Sequence, residues 1–298
     1  MGKNSKNWQK SYDAKRMRKQ SARGHLWSNN HPGYDAERMR KTRQTFGRSP
    51  RFMIDAAFNP LIVKSKRVIV AGDWHIPFQD SVFCNKMIKF AEQEDIRDII
   101  IPGDFWDCDN YSRFVKLCWD NTFAQEKENV AEWLGILREH FDNIAFCRGN
   151  HEKRWIDMNA GRMGMEELFA TTQITDGYEV TLDDHIILNS KGHKWLVSHP
   201  RNFRQANLSV GRDLAAKYHC NVFVAHGHQW AQGTDRSGRY VVLDGGGMFD
   251  AGALEYLRNT TCYPAVQGGF YVLRGNEYEA YMNKDGASTR DFVGDKKV

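Results

Sequence analysis

No stretch of this sequence approaches the ~18 consecutive apolar residues of a membrane-spanning helix, and its charged N-terminus lacks the apolar segment of a secretory signal. Cytoplasmic residence with no membrane partner is the expectation. Cysteine offers no framework either: Cys84, Cys108, Cys118, Cys147, Cys220 and Cys262 are scattered, with no C-x-x-C pair. That excludes a disulfide scaffold and a zinc ribbon, and leaves reduced, mostly buried thiols. Acidic residues are almost missing from positions 1–51, three against fourteen Lys and Arg, a net of +11. The rest of the 298 residues carries 28 basic and 34 acidic side chains, a net of −6. With 41% of its residues hydrophobic, the chain has material for a large buried core. A basic arm is attached to a mildly acidic globular body.

The arm contains a two-copy repeat. Tyr12-Asp13-Ala14-Lys15-Arg16-Met17-Arg18-Lys19 returns as Tyr34-Asp35-Ala36-Glu37-Arg38-Met39-Arg40-Lys41. Asp13 and Asp35 each sit where a carboxylate suits the N-terminus of a short helix. Two copies are too few for a solenoid. Read functionally, Arg16, Arg18, Lys19, Arg38, Arg40 and Lys41 clamp a phosphate backbone, and Trp8, Tyr12, Trp27 and Tyr34 are available to stack on bases. Nucleic acid is therefore the expected partner of residues 1–51; the competing reading is a solvated tail.

Residues 52–282 read as one α/β domain, followed by a polar tail over 283–298. The β-branched run Arg67–Ala71 predicts a buried strand, Ser81–Glu94 a helix, and Asp98–Ile101 a second strand. Val130, Trp133, Leu134 and Leu137 have the i, i+3, i+4, i+7 spacing of an amphipathic helix over about 125–140. A third strand covers Asn143–Cys147. Beyond it come a hairpin at Lys191-Gly192, a helix over about 208–218, a strand over Val222–Val224, and hairpins at Ser237-Gly238 and Gly275-Asn276. The fold class expected is a two-sheet α/β sandwich flanked by helices.

The residues just past each strand carry the chemistry. The first strand delivers Asp73 and His75, the second Asp104 and Asp107, the third Asn150, His151 and Glu152. The strand ending at Val197 delivers His199, and the one ending at Val224 delivers His226 and His228. Ligands gather beyond the carboxyl ends of strands in such sheets, so these residues are expected to converge. His199 is preferred over His185 and His193 because it alone comes directly after a strand end. Carboxylate, imidazole and amide donors suit divalent transition ions, and seven donors suffice for two ions if one carboxylate bridges. Asp107 and Glu152 are read evenly as groups orienting the ligands or as solvated ones, and Asp244-Gly245-Gly246-Gly247 as a flexible turn.

From about Val68 to Tyr281 the sequence resembles the calcineurin-like metallophosphoesterases, through D-W-H, G-D-F-W-D, G-N-H-E, a lone His and H-G-H in that order. The resemblance implies one ion on Asp73, His75 and His228, another on Asn150, His199 and His226, and Asp104 between them. It implies Mn²⁺ first, with Fe²⁺, Zn²⁺ or Ni²⁺ as alternatives, and a metal-activated hydroxide as nucleophile. His151 matches the family histidine that contacts the phosphate and protonates the leaving group. Asp107 is followed by Cys108-Asp109, where the protein-phosphatase branch has Arg-Gly, so the phosphate-gripping arginine of that branch is missing. Arg148, Lys153 and Arg154 are the candidates to replace it. The run Gly149–Arg154 looks like that of phage and prophage members, which would place the protein in a host cytoplasm. The function expected is a phosphodiesterase or nuclease acting on nucleic acid. The alternatives are a phosphomonoesterase or cyclic-nucleotide hydrolase, and an inactive metal-bearing nucleic-acid-binding module.

Overall fold

The computed structural model describes residues 60–112, 121–254 and 266–283; the basic arm with its repeat, Cys118, Cys262 and the tail beyond 283 lie outside them. The chain divides into two units, Met1–Asn59 and Pro60–Val298, and the described residues belong to the second.

In chain order the elements are β1 (Ile62–Lys64), β2 (Val68–Val70), α1 (Ser81–Gln93), β3 (Asp98–Pro102), α2 (Phe123–His140), β4 (Asn143–Cys147), α3 (Asn150–Met158), α4 (Met165–Ala170) and β5 (Glu179–Thr181). Next come β6 (His185–Ser190), β7 (His193–Ser198), α5 (Ser209–Tyr218), β8 (Asn221–Val224), β9 (Trp230–Thr234), β10 (Val241–Gly245), β11 (Gly269–Arg274) and β12 (Glu277–Met282). They form two mixed six-stranded sheets, ordered β1-β6-β7-β8-β10-β9 and β12-β11-β2-β3-β4-β5. β2 to β5 run parallel, as do β7, β8 and β10, so the carboxyl ends within each parallel set lie at one edge.

Side-chain alternation along the strands builds three apolar layers. Val68, Val70, Ile100, Val197, Phe223, Leu243 and Tyr271 fill the space between the two sheets. Their neighbours Ile69, Ile99 and Ile101 face the other way and pack with Phe83, Met87, Val130, Leu134 and Leu137 of α1 and α2. On the far side Leu196, Val222, Val224 and Val242 pack with Leu208 and Ala215. Helix α2 starts where its sequence dictates: the Thr122 hydroxyl accepts from the Gln125 N–H, and the Gln125 side chain accepts from the Thr122 N–H, a reciprocal cap. The expected two-sheet sandwich is thus what the chain forms. Sequence reading did not anticipate the short strands β1 and β5 or the helices α3 and α4. Cys84, Cys108, Cys147 and Cys220 are free and buried. Among the described residues no helix is long and apolar enough to cross a membrane.

Candidate metal centre

The donors sit on tight turns immediately beyond β2, β3, β4, β7 and β8. The two donors of D-x-H share one group, and those of H-x-H reach two adjoining ones. The turns bend the backbone hard to do this. Asp73, His75, Asp104, His226 and His228 all adopt positive φ, between 49° and 74°. Such geometry costs a non-glycine residue ~1–3 kcal/mol and concentrates at functional sites. Cross-strand bonds hold it in place: the N–H groups of Asp73, His75 and Ile76 donate to the carbonyls of Gly103, Asp104 and Phe105. The His226 N–H donates to the Asp73 carboxylate at 3.0 Å. Glycine is needed at two of the turns. Gly103 has φ +75°, and a Cβ there would stand 2.6 Å from His199 Nδ1; a Cβ on Gly149 would collide with the Asp104 carboxylate.

Three donor groups result, each with its ligating atoms within 4.8 Å of one another: Asp73, His75 and His228; His75, Asp104 and His151; and Asp104, His199 and His226. His75 Nε2 faces His228 Nε2 at 3.1 Å, and His228 Nε2 lies 3.4 Å from Asp73 Oδ1. His199 Nε2 lies 3.2 Å from Asp104 Oδ2 and 2.8 Å from Asn150 Oδ1. The ring tautomers are set from behind. His75 Nδ1 meets the Asp107 carboxylate at 2.9 Å, and His199 Nδ1 meets the Pro102 carbonyl at 3.0 Å, which leaves each Nε2 lone pair turned inward. With His199 neutral, Asp104 Oδ2 is buried and makes no hydrogen bond. A buried carboxylate oxygen without a donor, among imidazole nitrogens with inward lone pairs, fits a divalent cation.

Electrostatics agree. Burial pushes the Asp104 carboxyl up, but His151, His199 and His75 outweigh it and hold it well below the usual carboxylate range. Burial depresses His199, yet Asp104 and Asp73 lift it to about 10. Burial, then the His199 charge, lowers His226 to about 4. In the absence of a cation the carboxylates thus recruit a proton on His199, which an arriving ion must displace. Asp73, His75, Asp104, His199 and His228 are buried, whereas Asn150 and His226 are only half-buried, so the centre opens to solvent on their side.

Around the donors lies a shell of supporting residues. Asp107 touches two imidazoles, His75 at 2.9 Å and His151 Nδ1 at 3.0 Å. Glu152 is fully buried and accepts four backbone N–H groups, from Asp104 (3.0 Å), Phe105 (2.7 Å), Trp106 (3.0 Å) and Gly149 (2.9 Å). It ties the turn after β3 to the turn after β4, so the orienting reading holds for both residues and the solvated one does not. Glu152 occupies the third position of α3, where a carboxylate reaches back to the N-cap, a signal the G-N-H-E block already carried. In Glu152→Gln an amide nitrogen replaces one oxygen and confronts two N–H donors. The expected loss is about 2–6 kcal/mol of metal-free stability, at ~1–3 kcal/mol for each of the two orphaned donors, read from the urea unfolding midpoint; an unchanged midpoint counts against this role.

Of the candidate phosphate-gripping cations, the structure brings one to the centre. Arg154 NH2 lies 3.0 Å from His151 Nε2, and its NH1 donates to the Asp107 carbonyl at 3.3 Å. Lys153 is paired with Asp157 on the outer face of α3, and Arg148 is held through its backbone, whose N–H donates to the Asp183 carbonyl. His185 is buried against Asp184, and His193 is exposed at the start of β7, so neither competes with His199. The run Asp244–Gly247 is not the flexible turn its glycines implied. Gly245 ends β10, a Cβ on Gly246 would strike the Gln267 carbonyl, and the next N–H, of Met248, donates to the carbonyls of Gly72 and Asp73. This close crossing sets Phe249 against the rings of His228 (4.5 Å between centroids) and His75 (5.6 Å). No spacing in the sequence marked Phe249.

A family model described as calcineurin-like phosphoesterase matches residues 66–232. Among solved structures, the chain is similar to Vacuolar Protein Sorting 29 from Cryptosporidium parvum, at 14% identity over 74% of this chain and 93% of that one, with a TM-score of 0.44. It is similar at 16% identity to wild-type Vps29 complexed with zinc from Entamoeba histolytica, over 74% and 94% of the two chains, TM-score 0.42. The phosphoesterase YfcE from E. coli is 12% identical over 68% and 87%, TM-score 0.38. No curated protein matches the sequence.

Proposed function

The chain belongs to the calcineurin-like phosphoesterase family, and from that premise we propose that it is a two-metal phosphodiesterase acting on nucleic acid. The observation that carries this reading is the placement of Asp104. Its orphaned Oδ2 stands 3.9 Å from His75 Nε2 in one donor group and 3.2 Å from His199 Nε2 in the other. Asp73, His75 and His228 would hold one ion, Asn150, His199 and His226 the second, with Asp104 shared. The mixed nitrogen and oxygen donors suit Mn²⁺, with Fe²⁺, Zn²⁺ or Ni²⁺ as alternatives. Two such ions supply an activated water at neutral pH and neutralise charge on the phosphoryl oxygens.

The chain's own groups do the rest. His151 Nδ1 meets the Asp107 carbonyl at 2.6 Å and its Nε2 lies 3.0 Å from Arg154 NH2; once Arg154 turns to the phosphate, a protonated Nε2 can give its proton to the departing oxygen. Arg154, beside that nitrogen, is placed to grip a non-bridging phosphate oxygen with a charge-assisted bond. It thereby replaces the arginine missing after Asp107. The basic arm, net +11 over residues 1–51, is proposed to hold the polymer through its Lys and Arg side chains.

Turnover of bis-p-nitrophenyl phosphate well above that of the mono-ester is the expected result; the reverse preference would make the protein a phosphomonoesterase. The arm is tested in parallel. If about six of its basic residues contact phosphates, the full-length chain should show a log K against log salt slope near −5 on duplex DNA. Removing residues 1–51 should flatten that slope and leave bis-p-nitrophenyl phosphate turnover intact. Equal slopes for the two chains would remove nucleic acid as the arm's partner.

A further inference from the structure

Glu126 is a buried acid on an otherwise apolar face. It stands in the first turn of α2, and the other buried residues of that helix are Val130, Trp133, Leu134 and Leu137. Its side chain is fully buried, and its Oε2 has no hydrogen-bond partner. Burial, then the charge of Asp107, pushes the carboxyl up to about 8, so it is held largely neutral at pH 7. An apolar residue would be cheaper at such a position. What the acid adds is one bond: Oε1 accepts the Cys108 N–H at 2.7 Å.

That N–H belongs to the peptide group joining Asp107 to Cys108. The carbonyl of the same group meets His151 Nδ1 at 2.6 Å and accepts from Arg154 NH1 at 3.3 Å. A trans peptide is planar, with its N–H and C=O pointing in opposite directions. The group is therefore gripped at both ends, by Glu126 on one side and by His151 and Arg154 on the other. The grip matters because Cys108 sits at φ 48°, a left-handed conformation unfavourable for a residue with a side chain. A rotation of the plane would take the carbonyl away from Nδ1, and with it the bond that sets the tautomer and orientation of the ring. We infer that Glu126 is a positioning residue for His151: by accepting the Cys108 N–H it fixes the 107–108 peptide, whose carbonyl in turn holds the imidazole. The inference rests on the phosphodiesterase reading for what His151 does in the reaction, but not for how the ring is held.

The test compares Glu126→Gln and Glu126→Leu in the full-length protein at saturating metal. An amide oxygen accepts the same N–H, and its nitrogen falls where Oε2 already lacks a partner, so Glu126→Gln should stay within about threefold of wild type. Glu126→Leu fills the space without an acceptor. It should lose roughly 10–100-fold in kcat on a diester with an alkyl leaving group, as removal of an orienting partner does, with KM and metal content unchanged. In a His151→Ala background the same substitution should cost less than about threefold, since residues acting as a unit are not additive. Glu126→Ala, read in the same way, stands in if the leucine variant does not fold. No loss in Glu126→Leu, an equal loss in Glu126→Gln, or the same factor in both backgrounds overturns the role. A second readout is independent of turnover. In the zinc-loaded protein the His151 Nδ1–H, identified by its disappearance in His151→Ala, should give a downfield proton resonance. Glu126→Gln should keep that signal and Glu126→Leu should shift or lose it. Its absence from wild type, or an unmoved signal in Glu126→Leu, contradicts the positioning. If wild type hydrolyses no phosphate ester, the hydrolase reading falls and the resonance alone decides the role of Glu126.

Discussion

Asp104→Asn should empty the centre, taking metal content from about two ions per chain to below about one and turnover down by at least ~10³-fold. The carboxylate belongs to two of the donor groups, one with His75 and His151 and one with His199 and His226, and with His199 neutral its Oδ2 has no protein hydrogen bond. An amide of the same shape removes the negative charge that both proposed sites would share. If its nitrogen takes the Oδ2 position, it also directs N–H groups at His199 Nε2, which occupies the lone pair a cation needs. The other oxygen is a structural acceptor, receiving the His151 N–H at 2.8 Å, and an amide oxygen keeps that bond. The fold should therefore survive, with an unchanged far-ultraviolet circular dichroism spectrum. Elemental analysis decides the matter: a folded variant that retains two ions would show that Asp104 is not shared.

His151→Ala should behave in the opposite way, keeping both ions and losing roughly 10²–10⁴-fold in rate, as a general acid and transition-state contact would. His151 belongs to a donor group with His75 and Asp104, but its Nε2 lies 3.8 Å from Asp104 Oδ2 and faces Arg154 at 3.0 Å. That position suits an acid at the edge of the centre better than a ligand within it. A leaving-group series sharpens the test. p-Nitrophenolate departs without help, whereas an alkoxide needs its proton, so the loss should be larger for a methyl or nucleoside leaving group. A loss independent of leaving group would reduce His151 to a phosphate contact, and loss of the ions would make it a ligand.

Much of the centre was legible because each donor comes after a recognisable strand. Val68–Val70, Asp98–Pro102 and Asn221–Val224 are dense in β-branched and apolar residues, and the acids and histidines begin where those runs stop. Within each of the two sheets, convergence then follows from parallel strands whose carboxyl ends lie at one edge. The spatial partnerships were not legible. Glu152 bonds to backbone 46 to 48 positions away, and His75 meets His228 across 153 positions, distances that no local pattern reports. The choice among Arg148, Lys153 and Arg154 turned on a helix that sequence reading missed. Once α3 is known to start at Asn150, His151 and Arg154 stand at i and i+3 on one face, while Lys153 is rotated away toward Asp157. Phe249 escaped for another reason: a phenylalanine has no donor atom to betray a role, and it acquires one only through the ring it is set against.

The most direct test of the two-metal centre is the metal content of the purified full-length protein, measured together with bis-p-nitrophenyl phosphate turnover before chelation, after it and after reloading. About two divalent transition ions per chain are predicted, with activity abolished by EDTA and recovered on adding back Mn²⁺ or a neighbouring transition ion. Protein that carries no metal and hydrolyses the diester equally well in EDTA would contradict it.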